Sequence, residues 1–338
     1  MSNATLAAMQ KRAVVKSRLS VGLSQKLTAT LAFTLMSVMA KFANGGYSLG
    51  EVTLFRAGFA LIIIVLWMAL RGDFPRVLAT DRAGGHLLRS VVGSCGMFFG
   101  FGALRLLSLP SATAFSFATP LLTVALAALI LKERVRIYRW AAVGVGLIGV
   151  LIMTGVLHTA TAGATASTSL WGATIALAGA MCAAGAAIQT RRLLRTEGTS
   201  TIIFYFMMLA TLASAGLLLA GYIWPSTLPG AALMKTQVFV IPSLHDGIVL
   251  AMIGVFGGLG QIFVTESFRH ADASILAPFD YASMLWALIF GYILFDEIAT
   301  PEILQGAAIV VAAGLFVIWR ERRLGLTRAL ETSTSSNA

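Results

Sequence analysis

Asp280, Arg56 and Lys41 are ionisable residues that lie inside stretches of otherwise apolar sequence. In hydrocarbon, such a side chain requires a partner, a water-filled cavity or a function. Asp280 follows Pro278 and lies about eight residues inside its stretch, roughly 12 Å from the end of a helix that rises about 1.5 Å per residue. Its carboxylate could exchange a proton or bind an amine. The alternatives are an ion pair with a neighbouring helix and a position in a vestibule nearer the surface.

The two cations favour a different chemistry, the attraction of anionic groups. Arg56 is predicted about five residues inside its stretch, and Lys41 lies near the end of the preceding one. Together they could form a positive vestibule on one face of the protein. The alternatives are structural: both long side chains can extend to the membrane interface, and Arg56 can pair with Glu51.

Two prolines and several aromatic residues accompany these charges. Pro120 and Pro278 each interrupt an apolar stretch, and broken helices at corresponding places in two halves of a chain point to a binding site. Prolines are also tolerated in ordinary membrane helices. We predict an aromatic, weakly polar substrate path, lined by Arg56, Phe99, Phe115, Pro120, Gln261, Pro278, Asp280, Tyr281 and Trp286.

The elements that must position these residues are membrane spans. Hydrophobic residues make up 58% of the chain and charged residues 12%, whereas a soluble domain carries roughly 25% charge. Between Arg139 and Arg191 there is no charged residue, which leaves room for two spans of about 20 residues each. The net charge of +11 resides in short loops, so it indicates membrane topology rather than nucleic-acid binding.

The sequence offers no motif for a cofactor, a metal ion or a catalytic centre. Gly144-x-Gly146-x-x-Gly149 matches a dinucleotide fingerprint, but it lies inside an apolar stretch with no preceding strand. We interpret these glycines as contacts between closely packed helices. Cys95 and Cys182 also fall in apolar segments and indicate neither a disulfide framework nor a metal site.

The chain contains two copies of one segment, at an offset of 164 residues. Val91–Glu133 aligns with Val255–Glu297 without a gap and with nine identities, which include Glu133/Glu297. If each copy holds an odd number of spans, the second is inverted relative to the first, and a substrate site is expected between the halves. For the two glutamates we expect matched contacts that close each face.

Ten spans are predicted, five in each half. If the N-terminus is cytoplasmic, 21 of the 25 Lys and Arg residues lie on the inner side, as the positive-inside rule requires. The other four are Arg105 and Lys235 in outer loops, and Lys41 and Arg56 within spans. The predicted spans are 25–43, 51–70, 84–104, 111–131, 139–157, 169–190, 199–222, 247–266, 272–295 and 302–319. They give a cytoplasmic segment (1–24), a first repeat (25–157), a polar linker (158–168), a second repeat (169–320) and a cytoplasmic tail (321–338).

Short motifs in both halves are typical of one family. The first half has Arg56 in Leu54-Phe55-Arg56-Ala57, then Thr119-Pro120-Leu121-Leu122 and Leu131-Lys132-Glu133-Arg134. The second half has Gly260-Gln261-Ile262-Phe263, Ala277-Pro278-Phe279 and Phe295-Asp296-Glu297. In order and spacing the chain resembles the drug/metabolite transporter superfamily, specifically the ten-helix type with two EamA domains, over about 25–320. Lys132 departs from the small residue usual there.

The resemblance implies a carrier of a metabolite or drug in the bacterial inner membrane, often an exporter. We therefore expect an all-α polytopic secondary transporter that works by alternating access, with Asp280 as the candidate for proton coupling. The alternatives are a membrane enzyme that acts on a lipid, which would need clustered acidic or histidine residues at one interface, and a small-ion channel, which would need polar rings along a pore. The expected partners are a small-molecule substrate and the lipid bilayer, and a homodimer is compatible with the sequence.

Overall fold

The computed structural model describes residues 3–43, 46–72, 74, 76–130, 137–153, 165–193, 196–223, 239–270 and 276–335, and their regular structure is helical. Short 3-10 segments occupy Arg76–Leu78 and Ala277–Tyr281. The α-helices are α1 (Asn3–Phe42), α2 (Leu49–Arg71), α3 (Ala83–Leu106), α4 (Leu109–Ser116), α5 (Ala118–Ile130), α6 (Ile137–Met153), α7 (Thr165–Leu193), α8 (Thr199–Ile223), α9 (Leu244–His270), α10 (Ala282–Phe295) and α11 (Pro301–Ser335).

The surface of the bundle is that of a membrane protein. Leu66, Leu70 and Ile293 are more than half exposed, whereas many of the buried positions are Ala, Ser or Thr. Small residues between helices and large apolar residues outside are expected where lipid replaces water. Five described helical segments are long and apolar enough to span a bilayer on their own: Leu49–Arg71, Ala83–Leu106, Leu170–Thr190, Ser200–Ile223 and Leu244–Ser267. The chain is therefore an all-α polytopic membrane protein.

The fourth predicted span is not one continuous helix. It consists of α4 and α5, which meet at Phe117. Pro120 was expected to mark this interruption, but the break lies three residues earlier. In that register the proline occupies the first turn of α5, where a missing N–H costs no intrahelical hydrogen bond. Glu133 and 158–164 of the predicted linker lie outside the described residues.

The ninth span has a corresponding break. Its 3-10 segment ends at Tyr281, where α10 begins, and Pro278 lies within that segment. Tyr281 is the position that the 164-residue offset equates with Phe117. The two rings contact each other edge to face, with their centroids 5.2 Å apart. A residue close to a two-fold pseudosymmetry axis meets its own counterpart, so this contact lies near the axis that relates the halves.

The helix contacts follow the same pseudosymmetry. Helix α1 packs on α9 and α3 packs on α7, while α6 packs on α11 and α2 on α8. Both of the first two pairs are antiparallel: Gly260 lies against Phe33 and Gly257 against Met36, while Gly179 lies against Phe99 and Gly96 against Cys182. When the two inverted halves are exchanged, the α1–α9 pair takes the place of the α3–α7 pair.

Gly149 allows α6 and α11 to approach each other closely, and its replacement by Ala is expected to destabilise the protein. The added Cβ would lie 2.8 Å from the Gly306 carbonyl oxygen and 3.0 Å from Val310 Cγ2, and backbone atoms cannot rotate away. We expect a loss of about 1–3 kcal/mol and a lower melting temperature of the detergent-purified protein. Gly144→Ala on the same helix is the control, because nothing lies within 4 Å of its Cβ. Equal melting temperatures for the two variants would contradict the role of Gly149.

Candidate functional site

Asp280 forms an ion pair that joins the two halves. Its Oδ1 lies 2.6 Å from Lys26 Nζ of α1, so the structure shows the paired arrangement that the sequence left as one of three interpretations. The Lys26 side chain is only 4% exposed, whereas that of Asp280 is 53% exposed. The carboxylate therefore remains accessible from outside the bundle while it neutralises a buried cation.

Two predicted aromatic residues lie beside this ion pair. Tyr281 packs against Phe117 of the first half, and the Trp286 indole N–H donates to the Thr30 hydroxyl of α1, with a distance of 3.3 Å. Thr30 lies one turn beyond Lys26 on the same helix. Asp280 and Trp286 therefore belong to one contact surface between α1 and the broken ninth span, and Tyr281 lies next to it against the break of the fourth span.

A second ion pair joins the halves near the C-terminal end of α1. Lys41 pairs with Glu297, and Lys41 Nζ also donates to the Leu107 carbonyl with a distance of 3.2 Å. The other carboxylate oxygen of Glu297 accepts the Leu109 N–H at 2.8 Å, which satisfies one free donor at the N-terminus of α4. We call this group the Lys41–Glu297 bridge.

The end of α10 aims Glu297 at this bridge. Asp296 has the left-handed conformation, with φ of 52°, and the Glu297 N–H donates to the Gly291 carbonyl at 2.9 Å. This arrangement ends a helix and turns the chain sharply.

On the same face, the Tyr47 hydroxyl donates to Asp246 Oδ2 at 2.7 Å, and this hydrogen bond raises the pKa of the Tyr47 phenol above its ordinary value.

Arg56 does not pair with Glu51, which corrects one of the alternatives. Glu51 is fully buried, and its Oε2 accepts the Val240 N–H at 3.3 Å. Arg56 is 8% exposed, and its Nη1 lies 2.9 Å from Met97 Sδ. Lys41 is engaged by Glu297, so the predicted vestibule of Arg56 and Lys41 does not form in this structure.

The remaining predicted residues are dispersed. Phe115 is 1% exposed inside a hydrophobic core, whereas Phe99 is 39% exposed. Pro120 lies on the exposed side of α5 and Gln261 is half-buried on α9. These positions do not converge on the Asp280 surface, so the substrate path that includes them stays a prediction.

Sequence reasoning missed a cavity of about 460 Å³ at the other end of α2. Its lining includes an ion pair in which Arg71 Nη1 and Nη2 donate to Glu266, at 2.6 and 3.3 Å. Glu197 accepts the Thr80 hydroxyl at 2.8 Å. By the predicted topology this face is cytoplasmic, so the cavity is a candidate inner vestibule, with lining residues that include Trp67, Arg71, Asp81, Glu197 and Glu266.

Within the described ranges, no group of three or more His, Cys, Asp or Glu residues could hold a metal ion.

The chain is similar to known transporters over nearly its whole length. The EamA-like transporter family matches residues 21–155 and 170–319. The chain is 27% identical over 298 residues to the pseudopaline exporter CntI of Pseudomonas aeruginosa (strain UCBPP-PA14), which covers 87% of this chain and 95% of that protein. It is 26% identical over 304 residues to the S-adenosylmethionine uptake transporter of Rickettsia bellii (strain RML369-C), with coverages of 90% and 95%. The chain also matches a solved crystal structure with 20% sequence identity and a TM-score of 0.59. The match covers 90% of this chain and 99% of the chain in that structure, so the two have the same fold.

Proposed function

The chain belongs to the EamA-like transporter family, and on that premise we propose that it moves its substrate by alternating access between two five-helix halves. It is a secondary transporter of a small organic metabolite, and two relatives that it matches over nearly their whole length are named as a pseudopaline exporter and an S-adenosylmethionine uptake transporter. One relative is named an exporter and another an uptake transporter, so the names leave the direction open. In this proposal the protein lies in the bacterial inner membrane with both termini in the cytoplasm, and it transports rather than catalyses.

The observation that carries the mechanism is the difference between the two faces of the bundle. The Lys41–Glu297 bridge ties the halves together at one face, while the 460 Å³ cavity lies at the other. A carrier with its site between inverted halves must close one face while the other is accessible. The Lys26–Asp280 pair also joins the halves, so both ion pairs can change when the halves move.

Counterflow in proteoliposomes tests this function. The purified protein is reconstituted, a panel of labelled metabolites is offered, and uptake is compared with that of protein-free liposomes. A carrier gives saturable uptake that unlabelled substrate inside the vesicle accelerates. A channel would give flux without counterflow, and an enzyme would return a chemically altered compound on mass spectrometry. Either of those results would overturn the proposal.

A further inference from the structure

We propose that Arg56 and Arg89 together form a subsite for an acidic group of the substrate, a carboxylate or a phosphate. The inference rests on the proposed function, because a subsite between the halves is meaningful only in a carrier. It replaces the predicted vestibule of Arg56 and Lys41, and it adds Arg89, which the sequence analysis counted only among the basic residues of the inner side.

Arg56 is a buried cation without an anion. Its guanidinium meets two thioethers, with Nη1 2.9 Å from Met97 Sδ and 3.9 Å from Met207 Sδ. A thioether sulfur is a weak acceptor. Arg56 Nε is buried with no hydrogen-bond partner, and no carboxylate of the described residues pairs with this side chain. A desolvated, uncompensated guanidinium is expensive to keep in a bundle, which indicates that a counter-charge arrives from outside the chain.

Arg89 is only partly buried, but it also lacks an anion. Its Nε donates to the Thr190 hydroxyl with a distance of 3.2 Å, and its guanidinium carbon lies 3.7 Å from the centroid of the Phe206 ring. Nη1 is buried without a partner. Arg89 too forms no ion pair with a described carboxylate. The ring face offsets only part of the lost hydration.

The two guanidinium groups occupy one region of the bundle. They lie against consecutive residues of α8, Phe206 for Arg89 and Met207 for Arg56. On α3, Arg89 and Met97 are two turns apart on one helix face, so the same face supplies one arginine and contacts the other. Arg56 lies seven residues from the start of α2 and Arg89 six from the start of α3, so neither is at a helix end.

Glycines at equivalent positions of the two repeats border these groups. A Cβ on Gly93 would lie 3.0 Å from Arg89 Nη1, and one on Gly257 would lie 3.7 Å from Arg56 Nε. These two positions are among the identities of the duplicated segment. Ser90 and Ser94 of α3 add buried hydroxyls without hydrogen-bond partners. The region is thus rich in unused donors, and buried polar groups normally have partners.

An oxyanion supplies what this region lacks. Guanidinium groups bind carboxylate and phosphate through short, charge-assisted hydrogen bonds that can be bidentate. Such an acceptor would displace the Met97 sulfur from Arg56, because methionine is flexible and its sulfur accepts weakly. Two cations with no protein anion favour a ligand group of high negative charge. The substrate class is therefore an organic acid or a phosphorylated metabolite.

Thermal stabilisation of the purified protein by acids tests the subsite without requiring transport. The probes are succinate, glutamate, benzoate and glycerol 3-phosphate, with succinamide and glycerol as uncharged counterparts at equal ionic strength. We expect at least one acid to stabilise the protein, and its apparent affinity to fall about tenfold or more in Arg89→Gln. Arg89→Lys keeps the charge but loses the planar fork, so we expect a partial loss. Arg82→Gln is the control, because it removes the same charge from an exposed residue just before α3.

The outcomes separate this inference from the proposed function. Selective loss in Arg89→Gln and Arg56→Gln supports the subsite, and the acid that stabilises identifies the group. If Arg56→Gln does not purify, Arg89→Gln decides alone. No stabilisation by any acid, or equal responses of Arg89→Gln and Arg82→Gln, overturns the subsite. Carrier flux of the stabilising acid at an unchanged rate in Arg89→Gln would overturn the subsite alone, whereas acid binding without flux of any compound would count against the function alone.

Discussion

Asp280→Asn is expected to reduce transport by about tenfold or more and to flatten its dependence on pH. The substitution removes the counter-charge 2.6 Å from Lys26, whose side chain is 4% exposed. Breaking a buried pair from one side costs about 3–5 kcal/mol. Because Asp280 is itself 53% exposed, the pair is only partly buried, and about 1–3 kcal/mol is a more suitable estimate. The measurement is uptake in proteoliposomes at several external pH values, with the substrate found by counterflow.

A double substitution distinguishes proton coupling from a structural ion pair. Lys26→Gln with Asp280→Asn removes both charges of this pair, so a merely structural pair would regain most of its transport. If Asp280 exchanges a proton during transport, the double variant stays uncoupled, and uptake no longer responds to an imposed pH gradient. Asp280→Glu keeps the titratable group and is the conservative control. Unchanged transport and pH dependence in Asp280→Asn would end the coupling hypothesis.

The architecture could be predicted because it depends on composition and on repetition. A run of apolar residues must be helical in lipid, whatever its neighbours are. The offset of 164 residues also equated Phe117 with Tyr281, and these rings meet in the structure. The break at Phe117 was harder to place, because a proline is accepted anywhere in the first turn of a helix. Sequence alone therefore identified Pro120 as near an interruption and could not fix the residue.

The arginine pair shows why the site could not be predicted as well as the fold. Arg89 lies six residues inside α3, a depth from which a long side chain can extend either to the interface or into the bundle. Only the position of Phe206 on α8 decides that it points inward. The partners of Asp280 and Lys41 are likewise on helices distant in the chain. Spacing along one helix carries no information about such contacts.

Glu297→Gln is expected to open the face that the Lys41–Glu297 bridge closes. The substitution removes the charge that pairs with Lys41 and weakens the acceptor of the Leu109 N–H. Hydrogen bonds to charged groups contribute about 1.5–3 kcal/mol each, and a change of that size shifts a two-state equilibrium roughly tenfold or more. Because the bridge joins α1 and α4 of the first half to the end of α10 in the second, its loss favours the state in which this face is accessible.

Maleimide labelling of a cysteine at Ala43 measures that shift. Ala43 is 6% exposed and lies two residues beyond Lys41, so a thiol there is protected while the bridge holds. The native Cys95 and Cys182 are first replaced by Ser. We expect Glu297→Gln to raise the labelling rate about tenfold and Asp296→Asn to leave it unchanged. Asp296 is exposed, and asparagine tolerates its left-handed conformation, so this control removes the same charge one residue away. Equal labelling of the two variants would show that the bridge does not hold this face closed.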